Sequence, residues 1–263
     1  MWDCHMHAFG PLTRYPASPL RGYDPPVTDL LAYHAQAKAA GISHSVFVQP
    51  SIYADDNRAT LDALAESGGA ARAVVTPWSG LVAADLPGLH AQGVRGLRLN
   101  RAAPDTGAEA VIRRLMPDLK QIGWHVAALL DVTVPGALDD LLAWVKVKLV
   151  VDHFGRPPLG TIDPQALAAL CDGVAQGRVW VKLSAPYQIT QGDWQDLRPI
   201  ARALHAARPE SLLFASNWPH IGAPEPGAVP DIEDLITVAA DWIGLERDQA
   251  IAAFTANAEA LYH

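Results

Sequence analysis

The feature that most constrains the fold is an alternation of short β-like segments with stretches of helical periodicity. Eight segments are rich in β-branched or apolar residues: MWDCHMH, SVFVQ, RAVVTP, VRGLRLN, HVAALL, KLVVDH, VWVKLS and LLFAS. The apolar repeat between them predicts helices over Val27–Ala40, Asn57–Glu66, Ala108–Ile122, Pro135–Val145, Pro164–Val174 and Trp194–Ala207. Several strands are apolar on both faces, which is typical of a parallel sheet covered by helices.

Eight strand-helix units predict an α/β fold, a single (β/α)8 TIM barrel. The length of 263 residues fits this topology, because such a barrel uses about 250 residues for one core. We therefore expect one domain over residues 1–263. A doubly wound parallel sheet has the same local pattern and is the alternative.

Composition excludes several classes of partner. The net charge is −8, from 20 basic and 28 acidic residues without a Lys/Arg cluster, so neither nucleic acid nor an anionic membrane is expected as a partner. No run of 18 apolar residues predicts a membrane span. Cys4 and Cys171 are far apart in sequence, which disfavours a disulfide framework or a thiolate zinc site. We expect a cytoplasmic protein, and the oligomeric state is left open.

Polar residues follow three of the predicted strands. His5 and His7 lie two positions apart on the first strand, so both point to one face. For an isolated pair of this kind, two half-buried structural histidines are the more common explanation. The sixth strand leads into VVDHFGRP, with His153 and Arg156, and the eighth into ASNWPH, with Asn217. The carboxyl ends of barrel strands meet at one mouth, and three imidazoles suit a zinc ion with an open position.

The loop after the first strand is unusual. Residues 8–26, AFGPLTRYPASPLRGYDPP, contain five prolines, which exclude a regular helix or central strand. We expect a semi-rigid loop at the mouth of the barrel, where it would help to exclude water.

These motifs resemble the amidohydrolase superfamily, and within it the branch of 2-pyrone-4,6-dicarboxylate lactonase and related sugar-acid and muconolactone lactonases. The resemblance runs along the whole chain and lies in the HxH pair, VDHFGRP, SNWPH, HAFGP, FVQPSIYADDN, GVRGLRLN and WVKLSAPY. It implies a hydrolase that opens a small anionic, carboxylated lactone at its C–O ester bond.

The resemblance also implies roles for individual residues. His5, His7 and His153 would bind one divalent metal, zinc by preference, or would polarise the lactone carbonyl without a metal. Arg98 and Arg156 would clamp substrate carboxylates, since a guanidinium binds that planar group with two hydrogen bonds. A buried ion pair is the alternative for Arg98.

The further candidates for substrate binding are Ser51, Asn57, Tyr187 and His220. A helix cap is the alternative for Asn57, and a role in fixing the Trp-Pro-His turn is the alternative for His220.

The chain also departs from the pattern of the branch. No lysine ends strand four or five, so a carbamate-bridged binuclear centre is not expected, and at most one metal should bind. Strand five, HVAALLDV, is aliphatic where the dicarboxylate lactonase has a tyrosine. Tyr187 and Gln188 stand about where that enzyme has an additional arginine, so the pyrone dicarboxylate itself is not the expected substrate.

Asn217 stands where the hydrolases of this branch have a catalytic aspartate. An amide has no basic site near neutral pH, whereas a general base contributes about 10²–10⁴ in rate. Three explanations are open: an introduced Asp→Asn substitution, a lactone isomerase of the D-galactarolactone isomerase type, and a barrel that binds small molecules without catalysis. A metal-dependent decarboxylase is a further alternative. We favour a lactone hydrolase whose base is altered or is supplied by a histidine.

Overall fold

The computed structural model describes residues 1–26, 28–102, 107–158, 161–225 and 227–263. Eight parallel strands form one sheet in which each strand pairs with the next along the chain. The strands are β1 (Trp2–Met6), β2 (His44–Val48), β3 (Ala71–Val75), β4 (Val94–Asn100), β5 (His125–Leu129), β6 (Leu149–Val151), β7 (Val179–Leu183) and β8 (Leu212–Phe214). The predicted (β/α)8 barrel is confirmed.

Helices follow the strands and cover the outside of the sheet. Within the described ranges they are α1 (Leu30–Ala39), α2 (Arg58–Glu66), α3 (Leu86–Gln92), α4 (Ala108–Ile122), α5 (Ala137–Trp144), α6 (Pro164–Ala175), α7 (Arg198–Ala207), α8 (Ile232–Ile243) and α9 (Arg247–Tyr262). The six predicted helices are confirmed, with ends that differ by a few residues. The predicted first residue of α1, Val27, lies outside the described residues.

Local sequence explains where several helices begin and end. Asp163 caps α6 because its side chain accepts hydrogen bonds from the backbone of Gln165 and Ala166, and proline is favoured in a first turn. α4 ends at Gly123, whose φ of 76° is a left-handed conformation that glycine adopts without a steric penalty.

β1 and β8 meet without a regular ladder, and a buried carboxylate joins them. Asp3 accepts hydrogen bonds from the backbone N–H of Ser216 at 2.9 Å and from its hydroxyl at 2.6 Å. The backbone N–H of Asn217 donates to the carbonyl of His5 at 2.8 Å. These contacts fix the residue that follows β8 beside the first strand, where the candidate site lies.

Two layers of apolar side chains hold the barrel. A smaller cluster, which includes Val46, Val74 and Trp180, fills the interior of the sheet, as the packed centre of such barrels requires. A larger cluster lies between the outward faces of the strands and the helices. No helix in the described parts of the chain combines the length and apolarity needed to cross a bilayer.

Candidate active site

A cavity of about 650 Å³ opens at the carboxyl ends of the strands. The predicted site residues that line it are His7, Ser51, Arg98, His153, Arg156, Tyr187 and Asn217. They come from six different strand ends, so the closure of the barrel brings them together. Leu20 and Tyr23, from the proline-rich loop, line the same cavity.

His7 and His153 are buried imidazoles of the cavity wall. The Nδ1 atom of His7 lies 2.7 Å from the carbonyl oxygen of Val48, and Nδ1 of His153 lies 2.7 Å from the hydroxyl of Ser184. Burial, with a smaller contribution from a nearby cation, lowers the pKa of each imidazole to about 3. The cation is chiefly Arg98 for His7 and Lys182 for His153. Both rings are therefore neutral, with Nε2 as the free nitrogen.

His5 lies beneath these two rings and does not line the cavity. Its ring centroid is 4.9 Å from that of His7 and 4.8 Å from that of His153. The hydrogen-bond register of β1 shifts between Asp3 and Met6, and such irregularities re-aim side chains beside active sites.

A buried ion pair lies next to His5. The ammonium of Lys182 is 2.9 Å from the Asp152 carboxylate and 3.2 Å from Nδ1 of His5. Nδ1 of His5 is 3.3 Å from the same carboxylate. Burial alone would raise the pKa of Asp152, but Lys182 and His5 hold it well below its usual range. The carboxylate is therefore ionised at neutral pH.

Asn217 is buried, 1% exposed, and is held by Tyr187. Its side-chain N–H donates to the Tyr187 hydroxyl at 2.8 Å, and its Oδ1 atom is buried without a hydrogen-bond partner among the residues that the structure describes. The φ angles of His153 and Asn217 are 54° and 58°. This left-handed conformation is strained for residues other than glycine and clusters at functional sites.

Two arginines give the cavity a positive wall. Arg98 is 5% exposed and donates through one amino group to the carbonyl of Gln49. Its Nε is buried and has no hydrogen-bond partner within the described part of the chain. The predicted alternative of a buried ion pair for Arg98 is not observed among its described contacts. Burial lowers the pKa of Arg98, although a guanidinium stays charged. Arg156 follows β6 and lines the same cavity.

Two predicted substrate-binding residues do not reach this cavity. The amide of Asn57 bonds to the backbone N–H and C=O of Thr76, at 2.9 and 2.8 Å, so it joins two loops. Asn57 does occupy the N-cap position of α2, the alternative role, but its side chain makes no capping hydrogen bond there. His220 lines a neighbouring cavity with Trp218 and Pro219.

Sequence reasoning missed Asp152 and Lys182, which are both completely buried. A signal was present, because charged residues in apolar strands are rare unless they are paired. The sequence could not show that these two residues pair with each other. Tyr23 and Gln188 also line the cavity and were not predicted.

Comparison with known proteins agrees with this arrangement. The amidohydrolase family model matches residues 2–263. The chain belongs to the amidohydrolase family. A 4-sulfomuconolactone hydrolase from Rhizobium radiobacter is 30% identical over 246 residues, covering 91% of this chain and 82% of the relative. A D-galactarolactone isomerase from Agrobacterium fabrum is 30% identical over 271 residues, covering 99% and 90%.

A solved amidohydrolase structure has the same fold. A putative 2-pyrone-4,6-dicarboxylic acid hydrolase from Pseudomonas putida is 30% identical and superposes with a TM-score of 0.82, covering 99% of this chain and 96% of that one. The resemblance to this branch of the amidohydrolases is thereby confirmed.

The predicted three-histidine metal site does not fit this amidohydrolase. In the described ranges, no group of three or more His, Cys, Asp or Glu side chains is arranged to hold a metal ion. Lys182 and Arg98 place two cations near the imidazoles, and they would repel a divalent ion. The neighbouring carboxylate, Asp152, is paired with Lys182, and position 217 offers only an amide.

Proposed function

We propose that the chain is a lactonase that hydrolyses the ester bond of a small carboxylated lactone without a metal ion. The observation that carries this proposal is the single cavity that His7, His153 and Asn217 share with Arg98 and Arg156. Its volume of about 650 Å³ suits one small ring with its substituents. The lactones in the names of the two curated relatives support the same substrate class.

The arginines bind the substrate carboxylate. Arg98 has an unpaired Nε in a buried position, and a buried donor without a partner is costly until an acceptor meets it. A carboxylate supplies that acceptor and neutralises the charge. Arg156 at the more exposed side of the cavity would bind a second anionic group or the other oxygen.

His7 supplies the base. A backbone carbonyl only accepts hydrogen bonds, so Nδ1 of His7, which lies 2.7 Å from the Val48 oxygen, carries the proton. Its Nε2 therefore has a free lone pair. A water molecule attacks the lactone carbonyl carbon and loses a proton to Nε2. The ring C–O bond then breaks and the ring oxygen takes that proton, which leaves a hydroxy acid.

Asn217 orients the nucleophile. Its N–H donates to Tyr187, so the free Oδ1 accepts a hydrogen bond from the attacking water. An amide does not remove a proton, and the low pKa of His7 makes it a weak base. We therefore expect slow hydrolysis compared with a site that has a carboxylate here.

An isotope experiment tests the proposal. The protein is incubated in H₂¹⁸O with a panel of five- and six-membered carboxylated lactones, and products are followed by mass spectrometry and NMR. We expect one ¹⁸O atom in the carboxylate of a ring-opened product. The methyl esters of the same lactones are the control, and they should react poorly because they cannot pair with Arg98.

A lactone isomerase is the second candidate. Asn217 favours it, because the free amide oxygen would equally accept a hydrogen bond from a substrate hydroxyl that attacks the carbonyl in place of water. The isomerase relative covers nearly the whole chain. Interconversion of lactones without ¹⁸O uptake would replace the hydrolase proposal, release of CO₂ would indicate a decarboxylase, and binding without turnover would indicate a binding protein.

A further inference from the structure

Lys182 has no part in the chemistry above, yet its ammonium lies beside the histidine cluster, 3.2 Å from Nδ1 of His5. It lies on β7 and is 0% exposed. Its ammonium contacts Asp152 at 2.9 Å and Nδ1 of His5 at 3.2 Å. Burying an ammonium is costly. The ion pair with Asp152 offsets the cost of burying the charge, but it does not explain why the ammonium also contacts His5.

The two histidines of β1 have different kinds of partner. An ammonium only donates hydrogen bonds, so Nδ1 of His5 must accept from Lys182, and the ring proton of the neutral imidazole then sits on Nε2. The partner of His7 is a backbone carbonyl, which only accepts, so the proton of His7 sits on Nδ1. The two rings therefore carry their protons on opposite nitrogens.

Asp152 competes with Lys182 for His5. A carboxylate only accepts and would draw the proton of His5 to Nδ1. The carboxylate is, however, closer to the ammonium, at 2.9 Å, than to the imidazole, at 3.3 Å. The ammonium, which holds the carboxylate in an ion pair and contacts Nδ1 of His5 at 3.2 Å with hydrogen-bond geometry, favours the arrangement in which His5 accepts from Lys182.

We propose that Lys182 is a positioning residue that locks His5 in the Nε2-protonated tautomer, so that β1 presents an N–H from His5 and a lone pair from His7. Nε2 of His5 is buried and has no protein partner among the described residues. An acceptor from the ligand would relieve the cost of that unpaired donor. On the proposed function, on which this step rests, the acceptor is one bound water molecule that in turn donates to the lactone carbonyl oxygen, since His5 does not line the cavity itself.

Histidine ¹⁵N NMR of the wild-type protein at neutral pH tests the tautomers without any substrate. His5→Gln and His7→Gln variants assign the signals. We expect a protonated Nε2 and an unprotonated Nδ1 for His5, and the reverse for His7. A proton on Nδ1 of His5, or a doubly protonated ring, would overturn the proposal.

A Lys182→Met variant tests the role of the lysine. Without the ammonium, Asp152 becomes the remaining partner of Nδ1, so we expect the His5 proton to move to Nδ1. Loss of one donor to a developing oxyanion lowers kcat by about 10²–10³-fold, with a much smaller change in KM. An unchanged tautomer in this variant would show that Lys182 only balances the charge of Asp152.

Lys148→Met is the matched control. Lys148 precedes β6, lies over the ring of Trp180, and donates to a backbone carbonyl of α9. Its loss should leave both tautomers and kcat unchanged. The wild-type spectrum decides the proposal even if Lys182→Met does not fold. The expected tautomers together with a complete lack of lactone chemistry would overturn the proposed function and leave the tautomer assignment standing.

Discussion

At the scale of single residues, charge and hydrogen-bonding capacity decide what the cavity can bind. Arg98 is held in place by its bond to the Gln49 carbonyl and keeps a free, buried Nε. That combination fixes a cation without neutralising it. A surface arginine would lose much of this effect to screening and to side-chain entropy.

Arg98→Met should weaken the binding of carboxylated lactones. A hydrogen bond to a charged group contributes about 1.5–3 kcal/mol, so KM should rise about 10- to 100-fold. Steady-state kinetics on a lactone and on its methyl ester measure this, and the ester should be insensitive. Arg114→Met is the control, because it also removes a hydrogen bond from an arginine to a backbone carbonyl, in this case that of Leu81. An equal loss with acid and ester would contradict a carboxylate clamp.

Asn217→Asp should raise the rate of hydrolysis, because it restores a carboxylate base beside the bound lactone. The expected gain in kcat is about 10²–10⁴-fold. Initial rates of ring opening measure it, and Asn217→Ala is the comparison because it removes the side chain without adding a base. Equal rates for the Asn and Asp forms would show that position 217 does not handle the proton.

Removal of metal should not reduce activity. Lys182 lies 3.2 Å from His5, and a fixed cation there disfavours a divalent ion in the same place. Dialysis against a chelator, with metal analysis before and after, measures this. Activity that is lost on dialysis and restored by zinc would contradict the metal-free site.

At the scale of elements, loops at the strand ends are tied to one another by side-chain amides. The side chain of Asn57, just before α2, makes hydrogen bonds to both the backbone N–H and the backbone C=O of Thr76, which follows β3. The same segment carries Ser51 at the cavity wall. The rigidity of this part of the mouth therefore depends on a residue that does not line it.

Asn57→Ala should lower stability and leave catalysis intact. It leaves two backbone groups of Thr76 without their partner, at a cost of about 2 kcal/mol in the free energy of unfolding. Urea denaturation measures the loss. Gln92→Ala is the control, because it removes one hydrogen bond that a side-chain amide donates to a backbone carbonyl within α3. A higher KM with unchanged stability would restore Asn57 as a substrate-binding residue.

At the scale of the whole molecule, buried neutral imidazoles make the stability of the barrel sensitive to acid. His125 is 1% exposed on β5 and contacts the ring of Tyr262 edge-on. Burial, with a smaller effect of Lys182, lowers the pKa of His125 from 6.5 to about 3. Between these two values, the unfolded chain binds a proton that the folded chain does not, so stability falls as the pH drops below 6.5.

His125→Gln should make the protein less sensitive to pH. Between pH 7.5 and 5.5, one such histidine costs about 1.4 kcal/mol in the free energy of unfolding. The variant should lose this part of the pH dependence, whatever its absolute stability at pH 7.5. Urea midpoints at the two pH values measure the difference. The same dependence in wild type and variant would mean that folding does not lower the pKa of His125.

The sequence by itself determined the barrel and the location of its mouth. Strand and helix periods are local properties, and the rule that strand ends converge predicts that His7, His153 and Asn217 lie at one mouth. The resemblance to the amidohydrolases adds Arg98 to this group. The identity of the residue at position 217 also raised the question of the base. The backbone contacts of Asn57 could not be foreseen, because a free amide and a bonded one look the same in sequence.

Only the tertiary structure decided which atoms meet. His5 and Lys182 are separated by 177 positions in the chain, and their contact depends on the register with which eight strands close around the interior. In the proposed arrangement, that contact makes Nε2 of His5 a hydrogen-bond donor, whereas Nε2 of His7 is an acceptor. Hydrogen-bond direction depends on distances of a few tenths of an ångström, which no local periodicity encodes.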